Sequence, residues 1–444
     1  MIRSICLLFV FLAMFSIASA EGQCPDDTAT IFFTGNDRGE LKPCGCSGGQ
    51  LGGFDRRSAV FDQVDDSRRL VIDTGSFVES DGEQDMIKFN IMMEAFSILA
   101  YDAINLTKND VEIASNLGLS DGNGSSFKII TSDGSKESAF ARTFTKKITL
   151  KNGRIFNINL AGIDSNKDSQ KQVKGLFNGK KSRDSINILI VTGDGEIEDK
   201  VDVTVVDCLI IPPGSDEPAL QKTTKSGALV ISGGRFGKYI GRVDIIWPKK
   251  TKRPQLKFSS VPLTEDIKQT PSLVELYKVY QQLVAEVGLI EKHPRFKMEE
   301  DLIYLGSDNC KSCHEYEYEK WSQKKHSWAY STLEKVGSQY DPECVGCHVV
   351  GFDYDRGFTT EDQTPHLKDV GCETCHGPGS EHVASEGQEK TTMPQLACTE
   401  CHTPEHSTDY ADNEKEYFEK IEHWQEQKLA EDVKVKEAPK ETEE

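Results

Sequence analysis

The sequence predicts an α/β layered domain with a large core, followed by a smaller, mainly helical and irregular domain. Three observations carry this. From residue 27 to about 262, short apolar strands interleave with amphipathic stretches, the pattern of layered α/β folds. The pattern C-x-x-C-H recurs four times between Cys310 and His402. All ten histidines lie at or beyond His293, so residues 1 to 292 contain no imidazole. At 444 residues the chain is also too long for one ordinary core.

Residues 1–20 read as a secretory signal. Arg3 precedes an apolar run from Ile5 to Ile17, and Ala18-Ser-Ala20 offers an A-x-A site with cleavage before Glu21. The run is short for a bilayer span. The expected mature chain is therefore periplasmic or otherwise exported, with no stable membrane insertion, in a compartment where disulfides persist.

Candidate strands are Thr28 to Phe33, Leu70 to Asp73, Ala103 to Leu106, Ile186 to Val191, Val206 to Ile211, Ala228 to Ser232 and Tyr239 to Trp247. Ile87, Phe89, Met92, Phe96 and Leu99 fall close to helical spacing in a helix from Gln84 to Leu99. Asn152-Gly153 turns a hairpin over Ile148 to Ile158. Residues 263–307 are a helical linker. Pro271 opens a helix through Ile290 with Leu273, Leu276, Tyr277, Tyr280, Leu283, Val284 and Val287 on one stripe, and His293-Pro294 breaks it.

Three stretches carry a resemblance. Thr34-Gly-Asn-Asp37-Arg-Gly-Glu40, Ala100-Tyr-Asp-Ala-Ile104 and Leu229-Val-Ile-Ser-Gly-Gly-Arg-Phe-Gly-Lys-Tyr-Ile-Gly-Arg-Val243 are similar, in order, to landmarks of the calcineurin-like metallophosphatases, in particular the exported 5′-nucleotidase branch. The resemblance implies a β-sandwich flanked by helices over residues 27–262. It also implies a two-metal site of aspartate, asparagine and histidines that activates water for attack on phosphorus. The sequence departs from that site at nearly every ligand. Asp37-Arg-Gly39 stands for D-x-H, Gly75-Ser76 for G-D, Thr107-Lys-Asn-Asp110 for G-N-H-E and Pro212-Pro-Gly-Ser215 for G-H-x-H. The expectation is a domain lacking its metal ligands and serving as a binding or docking scaffold. Metal-dependent phosphoester hydrolysis is the weakest of the functional alternatives.

Four cysteines of the expected mature chain lie outside the repeated motif: Cys24, Cys44, Cys46 and Cys208. An even number in an exported chain reads most simply as two disulfides. The competing reading is a redox or metal-binding loop at Cys44 and Cys46, although C-x-C lacks the usual exchange spacing.

The four motifs are Cys310-Lys-Ser-Cys313-His314, Cys344-Val-Gly-Cys347-His348, Cys372-Glu-Thr-Cys375-His376 and Cys398-Thr-Glu-Cys401-His402. Two thiols at this spacing take up both vinyl groups of one haem, and the adjacent histidine falls under the iron. Disulfides and zinc ribbons also use C-x-x-C pairs, but neither requires a histidine after every second cysteine. Four covalently bound haem c groups are expected, with His314, His348, His376 and His402 as proximal ligands. Only 34, 28 and 26 residues separate the successive second cysteines. Segments this short bury little apolar core of their own, so porphyrins fill the interior and crowd together. That crowding favours electron hopping. Six histidines remain to fill the opposite faces: His293, His326, His366, His382, His406 and His423.

A second resemblance enters on the intervening residues. Trp321-Ser-Gln-Lys-Lys-His326-Ser-Trp-Ala, Gly-Pro-Gly-Ser-Glu-His382 after the third motif, Cys401-His-Thr-Pro-Glu-His406-Ser and Phe418-Glu-Lys-Ile-Glu-His423 resemble the multihaem cytochrome c-554 family over residues 308–425. The resemblance implies bis-histidine haems stacked in close pairs that pass electrons in the periplasm. It favours His326, His382 and His423 as distal ligands, with His366, His406 or His293 competing for a fourth position. Some relatives leave one iron five-coordinate.

The net charge of −20 disfavours nucleic acid and anionic lipid as partners and leaves basic redox proteins. Acidic surroundings stabilise oxidised iron and lower its potential. Residues 426–444 read as a charged, disordered tail. The sequence thus points to an exported tetrahaem electron carrier. The alternative is a haem oxidoreductase acting on a small nitrogen or sulfur compound at one open iron.

Overall fold

A computed structural model describes residues 27–424, apart from 44–47, 120–124, 135–138, 166–168, 178–180, 194–202, 249–252, 392–397 and 405. The expected signal, Cys24, Cys44, Cys46 and the charged tail lie outside the described residues.

The front of the chain folds as β1 (Thr28–Thr34), α1 (Arg57–Phe61), β2 (Arg69–Asp73), α2 (Glu83–Ile98), β3 (Ala103–Leu106), α3 (Lys108–Asn116) and β4 (Lys128–Thr131). It continues through β5 (Thr143–Thr149), β6 (Ile155–Asp164), α4 (Ser169–Leu176), β7 (Ser185–Thr192), β8 (Cys208–Ile211) and β9 (Ala219–Thr223). It closes with β10 (Leu229–Ser232), β11 (Tyr239–Ile246), β12 (Gln255–Pro262) and α5 (Pro271–Val287). Two six-stranded sheets result, ordered β12-β11-β1-β2-β3-β4 and β5-β6-β7-β8-β10-β9. This is the helix-flanked α/β sandwich that the sequence predicts.

Strand periodicity explains the layers. Ile31 and Phe33 of β1 join Ile72, Ile158, Leu160, Ile188 and Ile190 in a core between the sheets. Phe32 points the other way, into a core with Phe61, Phe89 and Phe96 beneath the helices. With both faces buried, the central parallel strands read as continuous apolar runs, which is why the sequence exposes them. Gly241 sits opposite Phe33 on β11, where an added Cβ would meet the Phe33 ring at 2.1 Å. The hairpin turns at Asn152-Gly153 as expected, with Gly153 at φ 83° and Arg154 N donating to Asn152 Oδ1 at 2.9 Å.

β4, β9 and β12 were not expected, and all three are edge strands. Edge strands keep one side open to water and carry polar residues there, as the alternating exposure along β12 shows. The disulfide expectation for Cys208 is corrected: it is a free, buried cysteine on β8. Its side chain belongs to the core between the sheets with Ile188 and Ile210. That position makes it a small core hydrophobe.

Leu273, Tyr280 and Val284 of α5 are buried in the same core as Phe89, Met92 and Phe96 of α2. Pro271 opens α5, and Gly288, at φ 69°, ends it. Beyond this point the elements are short helices and turns. Their own apolar core is small, centred on Tyr330, Leu333, Val345, Val350, Phe352 and Phe358. Among the described residues, no helix is long and apolar enough to cross a membrane.

Candidate functional site

Each C-x-x-C-H sequence forms a single tight turn that returns its histidine beside its cysteines. His314 N donates to Cys310 O at 2.9 Å, His402 N to Cys398 O at 2.7 Å and His348 N to Val345 O at 2.8 Å. The third motif forms the short helix Cys372–His376. Thiols from different motifs also meet. Cys310 lies within hydrogen-bonding reach of Cys372, and Cys347 within reach of Cys401. The first and third motifs are therefore neighbours, as are the second and fourth.

Three non-motif histidines face motif histidines. His314 and His382 have ring centroids 5.9 Å apart, His326 and His402 6.4 Å, and His376 and His423 6.3 Å. A metal–imidazole bond is about 2 Å long, so two rings axial to one haem iron stand with centroids roughly 6 Å apart. All three pairs meet that spacing. The rings are also turned so that one nitrogen is engaged. His382 Nδ1 bonds Glu389 O at 2.7 Å, His423 Nδ1 bonds Ile421 O at 2.9 Å and His402 Nδ1 bonds Ser407 Oγ at 2.8 Å. Such bonds fix ring orientation and leave Nε2 for a metal. The residues present thus fit covalently tethered haem.

The histidine of the second motif differs. His348 Nδ1 is fixed by Ala329 O at 2.7 Å. Among the described residues, no imidazole faces it at the spacing of the other pairs. Burial holds its basicity below the usual value overall; the Ala329 carbonyl partly offsets this, and His406 adds a smaller depression. His406 Nδ1 itself bonds Thr403 Oγ1 at 2.9 Å. His293 is committed elsewhere, stacked on Phe352 with centroids 4.3 Å apart and bonded through Nε2 to Asp353 at 2.9 Å. His366 lies on the turn Pro365–Leu367, where its carbonyl crowds Gly306. Burial, followed by His402, His348 and His423, pushes His326 down to about 4. Several motifs therefore converge on one small volume.

Glu373, hidden in the sequence as a variable position of the third motif, is buried. It accepts from Leu305 N at 2.9 Å, Gly306 N at 2.7 Å and Gly379 N at 2.7 Å. It thereby fastens the extended segment entering the first motif to the third. Spacing gave no signal for this role, because its partners are backbone groups.

Residues 309–377 match the cytochrome c554 and c-prime family. Covalently bound haem c in this cytochrome c554-like part follows from that match and from the motifs. It is similar to cytochrome c-554 of Nitrosomonas europaea, 37% identical over 94 residues that cover 18% of this chain and 40% of the relative. The chain thus spans less than half the length of that curated relative. Among solved structures, the chain is similar to a 5′-nucleotidase precursor from Thermus thermophilus, at 16% identity and a TM-score of 0.44, covering 63% of this chain and 61% of that one. It is also similar to the NAD nucleotidase of Haemophilus influenzae, at 12% identity and a TM-score of 0.45, covering 77% and 74%. Likeness at this level says nothing about chemistry.

The front domain's own polar centre carries that question. Asp37, at the end of β1, is fully buried and accepts from Arg57 Nη2 at 2.6 Å. Arg57 Nη1 donates to Tyr101 Oη at 3.1 Å, and the guanidinium lies 3.7 Å from the Phe54 ring centre. Thr34 Oγ1 links Tyr101 to Asp73, at 2.8 and 2.6 Å. Burial and the neighbouring Asp37 push Asp73 up to about 8. Asp110 is saturated by Ser76 N, Phe77 N and Thr107, so it pins a loop to the start of α3. A guanidinium thus stands beside Asp37, the residue that the sequence aligns with the first aspartate of the resemblance.

Proposed function

We propose that this chain is an exported tetrahaem c-type cytochrome that passes electrons between redox proteins, with a front domain that acts as a scaffold and does not hydrolyse phosphoesters. The observation that carries the reading is the set of three imidazole pairs, each joining a motif histidine to a non-motif one at 5.9 to 6.4 Å. Bound haem would supply one-electron chemistry. Cys310, Cys313, Cys344, Cys347, Cys372, Cys375, Cys398 and Cys401 would tether it. His314 with His382, His376 with His423 and His402 with His326 would hold three irons from both sides, and His348 would hold the fourth. Adjacent thiols of the first and third motifs, and of the second and fourth, support haems grouped in two couples. Net charge favours basic partners.

The Arg57–Asp37 pair supports the scaffold assignment, since a guanidinium there neutralises the carboxylate that a metal would need. A second reading has one support. The iron of His348, which among the described residues no imidazole faces at the spacing of the other pairs, would be open to a small nitrogen or sulfur compound. Protein matured in a cytochrome-competent host tests both readings. Four haems per chain, three low-spin and one binding carbon monoxide on reduction, is the expected result. A colourless product with the mass of bare polypeptide would refute the haem assignment, and nucleotide turnover with added manganese or zinc would refute the scaffold.

A further inference from the structure

The half-buried Glu40 sits where the front domain meets the second C-x-x-C-H motif. It follows Gly39 on the loop after β1, and an added Cβ on Gly39 would lie 3.2 Å from Lys88 Nζ and 3.6 Å from Asp85 Oδ1. Lys88, only 6% exposed, bonds both oxygens of Glu343, the residue before Cys344. Burial raises the Cys344 thiol, Asp341 and Glu343 add to the rise, and Lys88 opposes it. A porphyrin joined to Cys344 therefore begins within the field of the charges that surround Glu40.

Glu40 has no cation of its own among these neighbours. Lys88 approaches from α2 but gives its hydrogen bonds to Glu343 and reaches Glu40 only through space. Lys238, on the turn before β11, is bonded to Asp216 at 2.6 Å. The nearby carboxylates have separate donors: Asp37 has Arg57, Asp85 has Ser80 and Asp341 has Tyr280. Burial raises Glu40 to about 7, with Lys88 and Lys238 opposing the rise and Glu343 and Asp37 adding to it. Its proton therefore exchanges near neutral pH, where a change of one charge close by shifts its occupancy.

We infer that Glu40 is a redox-linked proton site, taking one proton from water when a donor protein delivers one electron to the haem proposed on Cys344 and Cys347. Glu40 releases that proton when the electron leaves. The inference rests on the electron-transfer reading above. Charge balances, since reduction removes one positive charge from the iron and protonation of one carboxylate restores it. The coupling is reciprocal, so the proton also makes that haem easier to reduce.

Potentiometric titration of the holoprotein over roughly pH 5 to 9, following each haem by its absorption and paramagnetic signals, tests this. The reduction constant of one haem should fall about fivefold or more as pH rises, an ordinary coupling between two sites. The slope should not exceed about 59 mV per pH unit, the tenfold limit of a one-electron couple. Glu40→Gln, neutral and of the same shape, should remove the dependence at that haem and leave the others unchanged. Lys88→Met, which removes a cation opposing protonation, should move the dependence to higher pH. A wild-type slope in Glu40→Gln at full haem content would overturn the inference and leave electron transfer standing, as would potentials independent of pH at every haem. A second motif without attached haem would overturn both.

Discussion

Lys88 on α2 donates through Nζ to both carboxylate oxygens of Glu343, each at 2.6 Å, and Glu343 immediately precedes Cys344 of the second haem motif. Around this pair, Gln84 Nε2 donates to Tyr280 Oη at 2.8 Å and to Asp341 Oδ1 at 2.9 Å, while Tyr280 Oη donates to Asp341 Oδ2 at 2.9 Å. Asp341 also caps the turn that bears Cys344, accepting from Glu343 N. Helices α2 and α5 thus grip the second C-x-x-C-H motif through charge and hydrogen bonds. The proposed electron carrier and its scaffold are one mechanical unit at this point.

Lys88 is 6% exposed. Glu343→Ala should therefore leave a buried ammonium without its main partner and cost about 1–3 kcal/mol. Lys88→Met removes the buried charge itself and should cost less. Denaturant midpoints of the holoproteins measure both, and a Glu343→Ala midpoint equal to wild type would remove the pair from the account of domain docking.

Arg57→Met should destabilise the front domain by about 3–5 kcal/mol, since it strands the fully buried Asp37 carboxylate. Adding Asp37→Asn should recover much of that loss by removing the stranded charge. No recovery in the double variant would mean that Arg57 acts through packing on Phe54 alone.

Glu40 gives a pH dependence. Burial, partly offset by Lys88, raises it from 4.5 to about 7. A raised folded value means that folding favours the protonated form. This contribution to stability is full below pH 4.5 and is lost as pH rises through 7. Glu40→Gln should flatten the fall in unfolding free energy across that window, and an unchanged slope would contradict it.

His382→Ala, His423→Ala and His326→Ala should each turn one low-spin haem high-spin and add one equivalent of carbon monoxide uptake. His293→Ala should change neither, because its Nε2 is bonded to Asp353. Electron paramagnetic resonance with gas titration reads both quantities.

Glu373→Ala should unpair Leu305 N, Gly306 N and Gly379 N, at a cost of about 3 kcal/mol or more. A matching drop in thermal midpoint is expected, and a wild-type midpoint would show that water replaces the carboxylate.

The central strands were legible because β1, β2, β7 and β10 bury both faces and so lack polar interruption. β4, β9 and β12 were not: β4 is a short run of four residues, β9 is polar and mostly exposed, and β12 alternates with solvent. His326, His382 and His423 were readable only through resemblance, while Glu373 and the Arg57–Asp37 pair were not readable at all. Their partners lie far along the chain or in the backbone, and composition carries no trace of either.

By itself the sequence located the four C-x-x-C-H motifs at which haem attachment is proposed, since tethering depends on local spacing within five residues. It also determined that the front domain has no imidazole. Only the tertiary structure decided which histidine faces which, that Arg57 reaches Asp37 and that Cys208 lies between two sheets. Covalent attachment is a short-range property of the chain, whereas axial pairing and charge neutralisation depend on distances that exist only after distant segments pack together.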